Sequence, residues 1–359
     1  MTAMMKRFFT GAMASFMVFS LAACGSTGSS ADSTAGSAAA SSAAGTTSGT
    51  ADRVLQLGHV NTSSDDDQYQ YFAVTFANKL KEVSGGKLGI DIVTDSVLGG
   101  ERDMMEGMQM GTVDMALITN FTLGSFDPEW QVFDLPYIFK NRDEAYSVLN
   151  NRDIMGPMEE TLYNNCGVKT LSYGDGGFRQ TLNNVRPINS AADLSGMKLR
   201  LPETAIYVDA FKAMGANPTT LAFSETFTAV EQGTVDGLEL PISSIHSTGY
   251  GEICKYMSMT NHFYSPFQLD ISVSVWESLS EEEQGWFEEA AQAATVAERE
   301  FVQAKETEFV EELKGKGLIV NEVADMDSLV NAATTIYDKY RGQIGSDLMD
   351  SILTQLGRA

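Results

Sequence analysis

From Ser280 to about Leu313 the chain carries no proline and one glycine, Gly285. The stretch opens with Ser280-Glu281-Glu282-Glu283, the S-x-x-E form of a capping box, in which serine and glutamate satisfy each other's backbone N–H groups. Helix formers dominate beyond it, with Phe287, Ala290, Ala294, Ala297, Phe301 and Phe309 as an apolar side. A continuous helix of this length runs about 50 Å at ~1.5 Å per residue, more than one small domain needs. It is either a coiled-coil arm or a strut laid across two domains. The apolar spacing does not hold a strict heptad, which favours the strut.

The rest of the chain reads as alternating strands and helices. Arg53 to Val60 alternates and is β-rich, which predicts a strand. Asp65 to Val83 predicts a helix, with Tyr69, Phe72, Val74, Phe76 and Leu80 near helical spacing and acids in its first turn. Strands follow at Lys87 to Val93 and Val113 to Thr119, around a short helix from Glu101 to Met110 closed by Gly111. A Gly- and Pro-marked loop leads to a strand from Val168 to Tyr173. Helices at Thr204 to Met214 and Ser224 to Glu231, a short strand at Met197 to Pro202 and an extended Val235 to Leu240 complete the pattern. This rhythm predicts an α/β fold with a largely parallel sheet.

The N-terminus stands outside that fold. Lys6 and Arg7 precede Phe8 to Ala23, a stretch apolar or small apart from Thr10, Ser15 and Ser20, which has the form of a secretory signal. It is at the short end for a membrane span. Leu21-Ala22-Ala23-Cys24 resembles the lipobox of bacterial lipoproteins, which implies that Cys24 carries lipid and begins the mature chain; a plain signal with an incidental cysteine is the other reading. Gly25 to Ala51 contains only Gly, Ser, Thr, Ala and Asp32, with almost nothing to bury, so a disordered tether is expected. As a random coil it spans roughly 30 Å.

Composition excludes several functions. With 359 residues, 43% of them hydrophobic, the chain can fill one large or two medium cores. A formal charge of -24 repels nucleic acid and anionic lipid surfaces, so neither is expected as a partner. The three cysteines, Cys24, Cys166 and Cys254, form no C-x-x-C pair; Cys166 and Cys254 have no flanking ligands, though an exported chain permits a disulfide between them. Nucleophile elbows, H-E-x-x-H, P-loops and strand-borne G-x-G-x-x-G are absent, and His59, His246 and His262 are scattered. No metal or cofactor motif is legible, and with no acid–base pair discernible an enzyme is not expected.

Against this acidic background one segment inverts the charge. Between Gly176 and Pro202 stand Arg179, Arg186, Lys198 and Arg200 with a single acid, Asp193. Arginine binds carboxylate through a planar fork and keeps its charge when partly buried. Arg200 lies at the end of a short strand, where α/β folds bind ligands. Arg179 follows Gly176-Gly177-Phe178, where glycine lets backbones approach closely. Composition leaves open a second reading, with both arginines in surface ion pairs.

Gly177-Phe178-Arg179-Gln180-Thr181, followed by the run from Pro187 to Pro202 (PINSAADLSGMKLRLP), resembles the core signature of TRAP transporter substrate-binding proteins, the DctP family. Leu98-Gly99-Gly100-Glu101-Arg102, Ala222-Phe223-Ser224-Glu225, the run from Gln232 to Glu239 (QGTVDGLE) and Thr260-Asn261-His262 fit in the same order. The similarity extends from about Val54 to the end of the chain.

The resemblance implies a two-lobed, periplasmic-binding-protein-like (Venus flytrap) α/β fold around a cleft, with the long helix bracing both domains. Residues 1–23 are then the signal peptide and 24–51 the lipidated cysteine and tether. One domain takes 52–175 with about 266–300, the other 176–265 with about 301–359. Arg200 is expected to pair with the ligand carboxylate, Arg179 to give a second contact and Phe223 to pack on the ligand; by position alone Phe223 reads as a core residue. Glu239 and Leu240 match pocket positions, Glu101 and Thr119 wall positions, and His59 the point where the first strand meets the cleft. Sialic-acid-binding members carry Asn at the positions of Leu240 and Glu203. Leucine offers no hydrogen bond there, and an ionised Glu203 disfavours a second ligand carboxylate, which argues against sialic acid. The ligand is expected to be a small organic carboxylate: a C4-dicarboxylate, a sugar acid or a related hydroxy or keto acid. The resemblance implies a TRAP-type membrane permease as partner, and the protein is expected to be an extracytoplasmic monomer held to the membrane only by its N-terminal lipid. An ABC-type solute-binding lipoprotein and a ligand-sensing partner of a receptor kinase are the alternatives.

Overall fold

Ten strands order the architecture: β1 (Arg53–Gly58), β2 (Leu88–Val93), β3 (Met115–Thr119), β4 (Val168–Asn183), β5 (Lys198–Leu201), β6 (Asn217–Thr220), β7 (Gly237–Pro241), β8 (Tyr256–Met259), β9 (Tyr264–Ser272) and β10 (Ile319–Glu322). The computed structural model describes residues 51–358. The signal segment, the expected lipidation at Cys24 and the tether up to residue 50 lie outside the described residues.

The main path of the sheet runs β2-β1-β3-β9-β4-β7-β5-β6, with β8 beside β4 and β10 beside β8. Strand β4 is the seam. Its first half pairs with β9, and its second half, Arg179 to Asn183, pairs with β7, each antiparallel. A register shift between Asp175 and Phe178 separates the halves. Two β-layers therefore share one long strand.

The sheet is mixed, which corrects the expectation of a largely parallel one. The pairs β1–β2, β1–β3, β5–β7, β5–β6 and β8–β10 are parallel, whereas β9 and β4 insert antiparallel through the centre. The sequence reading missed β9 because both of its faces are buried and no alternation marks it. The stretch expected as a loop before Val168 contains helices Arg142–Leu149 and Arg152–Cys166, each started by an asparagine whose side chain accepts a backbone N–H. The first long helix is Gln68–Val83 rather than beginning at Asp65; the acids precede it, and Asp67 is its N-cap. Helix Glu101–Met110 and its left-handed Gly111 cap form where the pattern placed them.

Helix Glu281–Gly315 is the strut. Ser280 and Glu283 form the capping box, and Lys314 sits in the last turn. Phe287, Ala290 and Ala294 pack into a core with Leu57, Phe72, Phe76 and Phe267, on β1, β9 and helix Gln68–Val83. Leu313, at the other end, belongs to a separate core with Leu182, Leu238 and Tyr250. The helix thus contributes to the cores of both layers. Ala297 and Phe301 are only half-buried, and Phe301 stacks on Tyr71 at 4.2 Å; buried in their stead is Glu298. A third core, around Trp130, Phe133, Tyr207 and Phe263, takes in the C-terminal helices through Leu329, Tyr340 and Ile352. Cys166 and Cys254 are free and buried in different cores. No described helix is long and apolar enough to cross a membrane.

Candidate functional site

Between the two layers lies a cavity of about 290 Å³. That is the small end of ligand pockets, which run roughly 300–1,000 Å³. Asn61, Tyr69, Glu101, Thr119 and Phe121 line it from the β1–β3 side, and Arg200, Glu203, Phe223, Leu240 and Ser244 from the β5–β7 side. Arg179, on the shared strand, lines it as well.

Arg179 arrives through the β4 irregularity. A side chain on Gly176 would place its Cβ 2.1 Å from the Ser265 carbonyl oxygen, and Gly177 has φ of +89°, so the bend at the seam depends on two glycines. Beyond the bend Arg179 is held hard. Its Nε and Nη2 donate to the two carboxylate oxygens of Glu239 (Nη2–Oε1 2.8 Å), Nη2 also to the Glu239 carbonyl at 3.0 Å, and Nη1 to Ser265 at 3.3 Å. Glu239 sits on β7 opposite Thr181 and is fully buried. His262 Nε2 lies 3.2 Å from its Oε2 and His262 Nδ1 lies 2.8 Å from Thr260. Burial works to raise the Glu239 carboxyl, yet the guanidinium of Arg179 and the His262 ring hold it below its ordinary value. Burial lowers His262, favouring the neutral ring. Glu239 therefore does not reach the cavity: it fixes Arg179 from behind the wall.

Arg200 is placed differently. It lies on β5 between β6 and β7, opposite Thr219 and Leu238. The residue is 3% exposed. Its Nε and Nη2 both donate to the Leu221 carbonyl, at 3.0 and 2.6 Å. The Phe223 ring, at the start of helix Phe223–Glu231, centres 5.9 Å from its guanidinium carbon. No carboxylate among the described residues forms an ion pair with it. Burial pulls its pKa down to about 10.

On the opposite wall Glu101 begins helix Glu101–Met110 behind Gly100. Its carboxylate oxygens accept from the Thr119 and Thr122 hydroxyls, each at 2.6 Å, and the Tyr69 hydroxyl lies 2.9 Å from Thr119. Burial raises the Glu101 carboxyl above its usual range. This wall is a run of hydroxyls around one acceptor. Leu240 adds an apolar surface, and Glu203 lies exposed at the rim.

Of the residues singled out from the sequence, Arg200, Arg179, Phe223, Leu240, Glu203, Glu101 and Thr119 line the cavity. His59 does not. It is fully buried behind the wall, 3.0 Å from Gln70 Oε1 through Nε2, with burial lowering its pKa. Asn61, Tyr69, Phe121, Thr122 and Ser244 line the cavity without having been singled out. Nothing in their local sequence marks them, because four elements must assemble before they meet.

The model of the bacterial extracellular solute-binding proteins, family 7 (DctP), matches residues 57–343. The 2,3-diketo-L-gulonate-binding periplasmic protein YiaO of Escherichia coli (strain K12) is 30% identical over 302 residues, covering 83% of this chain and 90% of that protein. A TRAP periplasmic solute-binding protein from Polaromonas sp JS666, bound to D-erythronate, superposes with a TM-score of 0.79 at 34% identity, covering 83% of this chain and 97% of that one. Another from Haemophilus influenzae RdAW, with bound L-gulonate, gives 0.78 at 31%, covering 84% and 99%. With the two-layered fold and the arginine-lined cavity between the layers, these similarities establish that the chain belongs to the DctP family of TRAP solute-binding proteins.

Proposed function

We propose that this protein captures a small hydroxylated carboxylate, a sugar acid or related hydroxy or keto acid, through an ion pair with Arg200 and delivers it to a TRAP-type permease. One observation carries the reading: Arg200 is a buried cation beside a cavity, with no acid partner among the described residues. An unpaired buried charge is costly, and an anionic ligand is the partner that would offset the cost. Arg179, already bound to Glu239, gives a second, weaker contact.

The opposite wall supports hydroxyls on the ligand. Glu101, Thr119 and Tyr69 offer acceptors and donors, and the Glu101 and Glu203 carboxylates oppose a second ligand carboxylate, which places C4-dicarboxylates behind sugar acids. D-erythronate, L-gulonate and 2,3-diketo-L-gulonate, named for the relatives, are all hydroxylated acids of this kind.

In this reading the lobes expected from the sequence, 52–175 with about 266–300 and 176–265 with about 301–359, would close over the ligand, although the C-terminal helices also share a core with Trp130 and Phe133 of the first. Closure excludes water and strengthens the ion pair. The family is extracytoplasmic, and membership in it replaces the ABC-type alternative. Lipidation at Cys24 would keep the binding domain near its permease. A thermal-shift screen of residues 24–359 against aldonates, keto acids and C4-dicarboxylates tests the proposal, since a specific ligand raises the melting temperature. Aldonates should give the largest shifts, and scattering should show a smaller radius of gyration with the best of them. Shifts with dicarboxylates alone, or none with any acid, would sink it.

A further inference from the structure

We infer that Asp67 and Ser247 form a clasp that fastens the two layers at the edge of the cavity and positions Asn61 and Tyr69 on its wall. Asp67 caps helix Gln68–Val83, with Oδ1 accepting from the backbone N–H groups of Tyr69 at 2.9 Å and Gln70 at 3.3 Å. An ordinary cap leaves its second oxygen to solvent. Here Oδ2 accepts from Asn61 Nδ2 at 2.9 Å and from Ser247 Oγ at 2.7 Å. Ser247 ends the short helix Ile242–Ser247, which follows β7 on the other side of the cavity. Beside it, Ser244 Oγ accepts from Gln68 Nε2 at 2.9 Å and Asn61 Nδ2 at 3.3 Å.

Asn61, Asp67, Gln68 and Ser244 are each at most 4% exposed. Asn61, Tyr69 and Ser244 line the cavity. A carboxylate with four donors and no cation is costly to bury, and a helix cap alone does not call for burial. The arrangement instead joins cap, wall and far layer at one group. The same short helix is tied to the strut, with His246 Nε2 2.7 Å from Glu312 and its ring 4.1 Å from Phe309.

The clasp responds to protons. Burial raises Asp67 from its ordinary 3.8 to about 6. Of the ionisable groups nearby, Tyr69 on the capped helix interacts with Asp67 itself; Asp66 lies 4.0 Å from His246 of the short helix, His246 meets Glu312 of the strut, and Lys305 of the strut faces Asp66 and Glu312. Opening would expose Asp67 and return it towards 3.8, so closing takes up a proton. The closed form is therefore favoured as pH falls, by roughly fourfold between pH 7.5 and 5.5.

The role of the clasp in capture rests on the proposed function, but its existence does not, so hydrogen exchange on the ligand-free protein tests it separately. Ser247→Ala leaves the cap and Asn61 in place. It should speed exchange of residues 61–70 and 242–250 by about fivefold, the weight of one hydrogen bond, while β4 and β9 stay unchanged. Ser247→Thr should restore protection. Corrected for intrinsic rates, the wild type should exchange about fourfold more slowly in these segments at pH 5.5 than at 7.5. Asp67→Asn, which can still cap the helix, should abolish that pH response. Exchange in Ser247→Ala equal to wild type would overturn the clasp, as would a pH response surviving in Asp67→Asn.

Discussion

Replacing Arg200 should damage binding and spare the fold. The residue is 3% exposed, and its guanidinium shares one carbonyl acceptor between two N–H groups and has no ion-pair partner among the described residues. Its pKa is lowered from 12.5 to about 10, so the charge is fully present at pH 7 and opposes folding by roughly 3 kcal/mol. Arg200→Met keeps most of the apolar stem and removes that charge. The unliganded variant should melt at or above the wild-type temperature, since replacing a poorly paired buried charge by an apolar side chain is often neutral or stabilising. Binding moves the other way. Losing one partner of a desolvated charged pair costs about 2–5 kcal/mol, or roughly 30- to several-thousand-fold in affinity. Calorimetry with D-erythronate, or with the strongest aldonate from the thermal-shift screen, reads the affinity loss in Arg200→Met and Arg200→Ala. Arg200→Lys should also bind poorly, because a point charge replaces a fork. Arg186, whose side chain donates to the backbone carbonyls of Asp193 and Ser195 outside the cavity, supplies the control: Arg186→Ala should bind near normally. An Arg200→Ala protein binding within about threefold of wild type would refute the reasoning, because truncating one partner of a desolvated ion pair costs about 2 kcal/mol or more.

Glu239→Ala should destabilise the fold by about 3–5 kcal/mol in denaturant titration, because it strands the buried Arg179 charge; an m-value-matched loss below ~1 kcal/mol would contradict the bonding described. Asp270 is buried with its pKa raised to about 8, so the folded state holds a proton that the unfolded state releases near 3.8, and this group's contribution to stability falls as pH rises between those values. Asp270→Asn should remove that slope, up to ~1.4 kcal/mol per pH unit, and gain on wild type from pH 5 to pH 8 in melting experiments; parallel curves for the two proteins would count against it. Cys24→Ser should release the protein from membranes, as fractionation and immunoblotting would show; full membrane retention of the variant would remove the lipid-anchor proposal.

Much of this molecule was legible as local pattern. The capping box at Ser280 and the missing proline marked the strut, since helix initiation and continuation depend on residues within a few positions of each other. Helix Glu101–Met110 with its Gly111 stop was legible for the same reason. The charge inversion around Arg179 and Arg200 marked the cavity-lining arginines against an acidic chain, and the motifs in register named the family before any contact was known. Composition could not say which arginine is free and which is neutralised. That distinction arises because antiparallel pairing of β4 with β7 sets Glu239 beside Arg179, 60 residues away, while β5 carries Arg200 to a place where a backbone carbonyl and the Phe223 ring, but no carboxylate among the described residues, meet it. Strand β9 was invisible because a strand buried on both faces has no alternation to read. His59 passed for a cleft residue by its place after β1, and folding put it behind the wall. Asp67 looked like an acid near a helix start until its second oxygen met Ser247, 180 residues on. Caps, breaks and periodicity are short-range and follow from the chain itself. Burial, ion-pair choice and the cavity depend on which distant segments the strand order brings together, and only the tertiary structure decides that.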